Sequence, residues 1–358
     1  MYVYLSMIFF SVLFAWLGDH DTKLVVALKN NNKISIMNKF FIISMLIPTI
    51  VAGVRWNVGT DYSLYRIKQI PFVLNELHRF GYKDIVEPLY RYLIRFSMYI
   101  GNEQTVFIIT HILIIFFCYL GIYKNSKNIT LSVFLVFATG FYFFSLNIMR
   151  QSISISIFLY AIKYIYEKKP NKFIAWIIIA FLFHKTAILY LIAYPLQYIK
   201  LNRKICLFTL PIFLVLYPYI RILIEFFVKF IPGYDHYFGS QYDYSIVDTS
   251  LIALNYIILV VISKSKLTGR KFNLYFNMQV TATIVAILSG IIPNYSRIVY
   301  LFLSVLIISV PNVFVENRLK ERRMLIIGII VLLSVYSVNK FFINNSGDIF
   351  PYQTIFNN

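Results

Sequence analysis

The sequence predicts an all-α, polytopic membrane protein, a transmembrane helical bundle, and three observations predict it. Hydrophobic residues make up 59% of the 358 positions and charged residues only 14%, where a soluble domain carries about 25% charged residues. Apolar runs of about 17–20 residues, enough to cross a hydrocarbon core of ~30 Å, recur along the whole chain. Polar residues collect in short breaks between those runs and leave no room for a sizeable soluble domain.

Taken in order, the runs place membrane segments near residues 1–17, 38–54, 105–123, 131–147, 149–166, 172–198, 205–230, 250–263, 274–292, 298–315 and 324–341, about 11–12 segments at the usual spanning length. The first run has neither a basic leader nor a small-residue cleavage site, which predicts a retained helix rather than a signal peptide. No internal repeat or low-complexity linker divides residues 1–358, so the chain is expected to form one membrane domain with loops of interest at 55–104 and 231–249. Cys118 and Cys206 fall inside apolar runs, without a CxxC pattern or a metal-spaced histidine, and are expected to be buried packing residues. The net charge of +19 fits basic cytoplasmic loops, which removes the case for a nucleic-acid partner.

Lysine and arginine assign the sides. Lys23, Lys29 and Lys33 place the first loop in the cytoplasm and the N-terminus outside. Residues 172–198 then decide everything downstream. As one long helix, the alternative, they would put Lys200, Arg203 and Lys204 outside and reverse every later loop. As a broken or re-entrant segment hinged at "FHKT", they leave Lys264, Lys266, Arg270 and Lys271 in the cytoplasm and both termini outside. Non-helical backbone at membrane depth is tolerated where it lines a cavity or is buried in protein.

The candidate site residues lie at the outer ends of these segments. "RWNVGTDYSLY" begins with Arg55 and carries Asp61 beside the flexible Gly59-Thr60 turn. "SLNIMRQSIS" carries Arg150, with Asn147 and Gln151 flanking it, and "PNYSRIVY" carries Arg297. Three arginines at one membrane level suit an anion such as a lipid-linked pyrophosphate, because the planar guanidinium grips phosphate oxygens bidentately. His184 and Lys185 form an intramembrane ionisable pair, a functional candidate by position. His111, alone in an apolar run, reads as a packing residue. Asp61 could cap the following helix or deprotonate a sugar hydroxyl, and it is preferred narrowly over His184 as the base. "DIVEPLYRYLIRFSMYIG" predicts an amphipathic surface helix, with Pro88 in its first turn, an apolar stripe of Leu89, Leu93, Phe96 and Ile100, and a charged stripe of Glu87, Arg91 and Arg95. Arg91 joins Arg55, Arg150, Gln151, Lys185 and Arg297 as an expected substrate-binding residue. In 231–249, tyrosines alternate with Asp235, His236 and Asp243, a composition suited to sugar rings or to an interfacial belt.

The segments "RWNVGTDYSLY", "EPLYRYLIR", "FYFFSLNIMRQSISISIFLYAIKYI" and "KFIAWIIIAFLFHKTAILYLIAYPL" resemble, in order, the hallmark segments of the EpsG family, within the Wzy-like O-antigen and capsule polysaccharide polymerases. The likeness covers roughly residues 38–200, and the remainder matches by hydropathy alone. It implies a bacterial plasma-membrane glycosyltransferase that joins undecaprenyl-pyrophosphate-linked repeat units at the external face. Its implied partners are the lipid-linked donor and acceptor, a chain-length regulator and a flippase. By matching position it implies Asp61, Arg150 and His184 at the site, whereas Arg297 stands on its own placement. No DxD or metal box is present, so no metal or other cofactor is expected. An O-antigen ligase, a transporter of lipid-linked sugars and a membrane acyltransferase are the rival functions. The transporter should show paired repeats and polar residues strung through the membrane, whereas here they gather at the outer face.

Overall fold

A computed structural model describes residues 1–21, 38–75, 86–228, 248–291, 295–317 and 319–356. Among them the backbone is helical throughout, apart from turns, short extended stretches and one isolated β-bridge between Arg55 and Thr354. Lys23, Lys29 and Lys33, and the Asp235, His236 and Asp243 of the second loop, lie outside the described residues.

The described chain forms two compact units. The first comprises residues 1–191 together with 310–312 and 334–358, and the second comprises 192–309 and 313–333. No linker marks the division, because the chain passes between units inside helical, apolar segments.

In the first unit, helices α1 (Tyr2–Asp21), α2 (Lys39–Gly53), α3 (Ile70–Asn75), α4 (Pro88–Ile100), α5 (Glu103–Asn125), α6 (Ile129–Ala138), α7 (Phe141–Ser145), α8 (Met149–Tyr166) and α9 (Pro170–Phe183) follow one another. Helix α5 is central and packs on α2, α4, α6 and α8, while α8 also carries α9. Its N-terminus is fixed by a capping box, in which Asn102 accepts from the backbone of the first turn and Thr105 accepts from the Asn102 N–H. His111 is fully buried on α5 and bonds the Phe107 carbonyl one turn earlier, the packing role expected of it. Both cysteines are buried and unpaired by any disulfide.

The apolar runs become helices close to their expected positions, and where they differ a backbone cause is visible. The run 131–147 is split into α6 and α7 at Gly140, whose φ of 78° takes it out of the helix. The segment 172–198 is broken as expected: α9 stops at Phe183, His184 is extended, and a 3₁₀ turn occupies Lys185–Ile192. Helix α4 packs one side against the protein. Tyr90, Leu93, Ile94 and Ser97 are buried, whereas Phe96 and Ile100 are exposed. Pro88 sets the start of the helix, so Glu87 is its N-cap and stands outside the Arg91–Arg95 row.

The second unit contains α10 (Ala193–Leu196), α11 (Arg203–Val215), α12 (Tyr217–Val228), α13 (Thr249–Ser263), α14 (Gly269–Ile287), α15 (Tyr295–Leu303) and most of α16 (Leu306–Glu316) and α17 (Lys320–Ser337). Helix α14 packs on α10, α11, α13 and α15. The expected span 205–230 is bent by 77° between α11 and α12. Pro218 lacks the N–H that would continue the ladder to residue 214.

By length and composition, five helices among the described residues can cross a membrane: Tyr2–His20, Glu103–Asn125, Gly269–Gly290, Tyr295–Glu316 and Lys320–Ile343. The bent pair and five shorter apolar helices, including Lys39–Gly53 and Pro170–Phe183, complete an all-α, multi-pass membrane architecture.

Candidate active site

Glu87 organises the site. Its backbone sits at the extended N-cap of α4, and its carboxylate is almost wholly buried. One oxygen, Oε2, is 2.6 Å from Arg150 Nη1 in the first turn of α8. The other, Oε1, is 2.7 Å from His184 Nδ1 and accepts the Lys185 backbone N–H at 3.2 Å. A single carboxylate thus joins three elements, α4, α8 and the break after α9. Burial acts to raise the Glu87 pKa, but the hydrogen bond from His184 and the charge of Arg150 outweigh it and bring it down to about 2. Glu87 is therefore an anion at any neutral pH, too weak a base for proton abstraction and well suited to orienting its neighbours.

The break that delivers His184 is itself held in place. The Ala180 carbonyl accepts both the His184 N–H at 2.9 Å and the Ser154 Oγ at 2.7 Å, so α8 grips the last turn of α9. With Nδ1 donating to Glu87, Nε2 becomes the basic nitrogen of the ring. Arg91 is exposed and secures the approach to Glu87: its Nε donates to the Val86 carbonyl at 2.9 Å and its backbone N–H to the Glu87 carbonyl at 3.0 Å.

The "RWNVGTDY" loop forms a second arm. Arg55 is completely buried, 5.8 Å from the Tyr62 ring and 5.6 Å from the Phe107 ring, with Nη2 3.5 Å from Met149 Sδ. Its Nε and Nη1 meet no hydrogen-bond partner among the described residues. Arg55 is thus the interior support of the loop and does not stand on its solvent-facing side. Tyr62 stacks on Phe107 at 4.4 Å and donates to Gln104, whose amide in turn donates to the Arg55 carbonyl. Arg66 lies 4.0 Å over Trp56 and 2.6 Å from Glu103, a surface arrangement worth at most about 1 kcal/mol.

Asp61 is half-buried at the end of the turn, and its N–H donates to Asn147 Oδ1 at 3.2 Å. Asn147 lies three residues before Arg150, so the turn and the start of α8 are neighbours. Gln151 is fully buried beside Arg150 in sequence, whereas Lys185 is exposed and contributes its backbone to Glu87. Arg297 is exposed in the first turn of α15, in the second unit, where the adjacent Tyr295 donates to Asp248 at 2.9 Å. The structure therefore brings Arg150 and His184 together through Glu87, which the sequence placed only in a charged helix stripe. Among the described residues, no three His, Cys, Asp or Glu side chains gather in a metal-binding group.

The helical architecture and its apolar spans define a multi-pass membrane protein, and Glu87, Arg150 and His184 give it an ionic site between its helices. The chain belongs to the EpsG family, whose model matches residues 38–354. This is a family of Wzy-like exopolysaccharide polymerases, and the chain is a polysaccharide polymerase in that general sense. No curated protein and no solved structure matches it.

Proposed function

We propose that the protein joins undecaprenyl-pyrophosphate-linked oligosaccharide repeat units by glycosyl transfer at the external face of the bacterial plasma membrane, with both termini outside. The observation that supports this most is the Glu87 carboxylate bridging an arginine and a histidine, one suited to the leaving group and the other to the nucleophile. Arg150 grips the donor pyrophosphate, assisted by Gln151. The acceptor hydroxyl attacks the anomeric carbon of the growing chain and forms the new glycosidic bond. The bond from that carbon to the pyrophosphate oxygen breaks, and the lipid pyrophosphate leaves with the electron pair. The hydroxyl proton passes to His184 Nε2, while Glu87 holds the ring and stabilises the imidazolium. Asp61 binds an acceptor hydroxyl beside the reacting one. Arginine charge takes the place a metal fills elsewhere. A flippase supplies the repeat units and a chain-length regulator limits the product.

A strain lacking the gene distinguishes the possibilities. Single repeat units accumulating on the lipid carrier are expected. Long chains left untransferred would point to a ligase, and repeat units held at the cytoplasmic face to a flippase.

A further inference from the structure

We propose that Asn147 is a positioning residue of the transfer site, and that the C-terminal segment Asn345–Ile355 acts through it to fix the Gly59–Asp61 turn against the start of the Arg150 helix. The inference rests on the transferase function above, and it concerns the end of the chain, which that function leaves unused.

Asn147, 7% exposed, is bonded through its side chain in three directions. Its Oδ1 accepts the Thr60 hydroxyl at 3.0 Å and the Asp61 N–H at 3.2 Å, and its Nδ2 donates to the Gly347 carbonyl at 3.1 Å. The C-terminal segment holds the same turn from the other side. Gly59 N–H donates to the Asp348 carbonyl at 2.9 Å and Thr60 N–H to the Gly347 carbonyl at 3.1 Å. Further along, Trp56 N–H donates to the Gln353 carbonyl at 2.9 Å and Ile355 N–H to the Val54 carbonyl at 3.0 Å. Tyr4 and Tyr352 tie the segment down, donating to the Ile349 and Val51 carbonyls respectively.

The two glycines at this junction are required on both counts that matter. Gly59 has φ +106° and Gly347 φ +97°, in the region that L side chains rarely adopt. A Cβ on Gly59 would lie 2.8 Å from Asn147 Oδ1, and one on Gly347 would lie 2.6 Å from Asn147 Nδ2. The turn and the C-terminal segment therefore close on the amide from opposite sides. The backbone N–H groups of Gly59 and Thr60 are engaged by the C-terminal segment and that of Asp61 by Asn147, so the turn cannot shift without moving one or the other. Three residues further on stands Arg150, which Glu87 links to His184. Asn147 thus sets the spacing between the two arms that must meet donor and acceptor together.

An amide suits this task because it presents an acceptor to the turn and a donor to Gly347. Asn147→Asp keeps the acceptor and loses the donor, which breaks the link to the Gly347 carbonyl and sets a carboxylate oxygen against it while the turn stays bonded. Gly347→Ala attacks the same junction from the other side. Gly269→Ala is the control: its φ is +74°, and nothing lies within 4 Å of an added Cβ, so it carries backbone strain without the clash.

The test uses full-length protein in lipid nanodiscs, with lipid-linked repeat units extracted from the deletion strain as substrate. Asn147→Asp and Gly347→Ala are expected to keep the half-saturating donor concentration and lower turnover on the order of 10²-fold, the size of loss a ~1 Å misplacement produces. Their melting temperatures should stay close to that of Gly269→Ala, which keeps full turnover. Wild-type turnover in both variants, or losses that only track loss of folded protein, would overturn the proposal. An inactive Asp61→Asn beside a fully active Asn147→Asp refutes the positioning role and leaves the transferase function standing. A wild-type protein that transfers nothing refutes both.

Discussion

Each unit buries polar side chains among apolar helices, but the kinds differ. Beside neutral groups such as Asn147 and Gln151, the first unit encloses charged ones: Glu87 with Arg150 and His184, and Arg55 among aromatic rings. In the second, the fully buried polar groups among the described residues are neutral. Gln279 donates to the Asn255 backbone and side-chain oxygens, both at 3.1 Å, and Thr283 bonds the Gln279 carbonyl at 2.8 Å. Asn277 donates to the Leu196 and Ile199 carbonyls, each at 2.8 Å, and so ties the end of α10 to α14. Neutral amides between membrane helices act as packing contacts and contribute modestly. A buried ion pair pays a desolvation cost of several kcal/mol per ion, which makes it a poor means of stabilising a fold. Charges kept in the first unit despite that cost are what the proposed handling of a charged donor there calls for.

The largest effect expected of this contrast falls on Arg150. Arg150→Lys keeps the charge and loses the planar fork, so turnover should drop by about 10²–10³, or 2.7–4 kcal/mol of transition-state stabilisation, at unchanged protein level. Full-length polymer from the lysine variant would mean that a point charge suffices. At the small end stands Gln279→Ala in the neutral network. It should cost roughly 0.6–1.7 kcal/mol of stability, seen as a lowered melting temperature, and leave polymer length unchanged. Shortened polymer from that variant would place function in the second unit and dissolve the contrast.

Much of this architecture is written locally in the chain. Apolar length alone locates α1, α2, α5 and α13, and the polar "FHKT" inside a 27-residue run marks the break at His184. Arg150 and His184 stand out because ionisable residues are rare at membrane depth. Glu87 was hidden by phase: at i+4 from Arg91 it looks like one more charge on an exposed stripe. The available signal was Pro88, which fixes the first turn of α4 and makes the preceding acid an N-cap aimed off the helix. The closing of Gly347 and Asp348 on Gly59 and Thr60 could not be read at all. It joins residues nearly three hundred positions apart through backbone groups, which carry no side-chain pattern. The burial of Arg55 was hidden for a related reason. An arginine beside a tryptophan in a loop reads as surface, and only the packing of Tyr62 and Phe107 encloses it.

The central claim is that Glu87 and His184 act as one unit in the transfer step, and a double-mutant cycle on turnover tests it most directly. Glu87→Gln, His184→Ala and the double variant are assayed in nanodiscs on the extracted lipid-linked repeat units. If Glu87 acts by holding the histidine and Arg150 in place, each single change removes most of the rate, and the double variant is no slower than the worse single one, as groups acting together are grossly non-additive. Losses that multiply in the double variant would show two independent contributions and contradict the account.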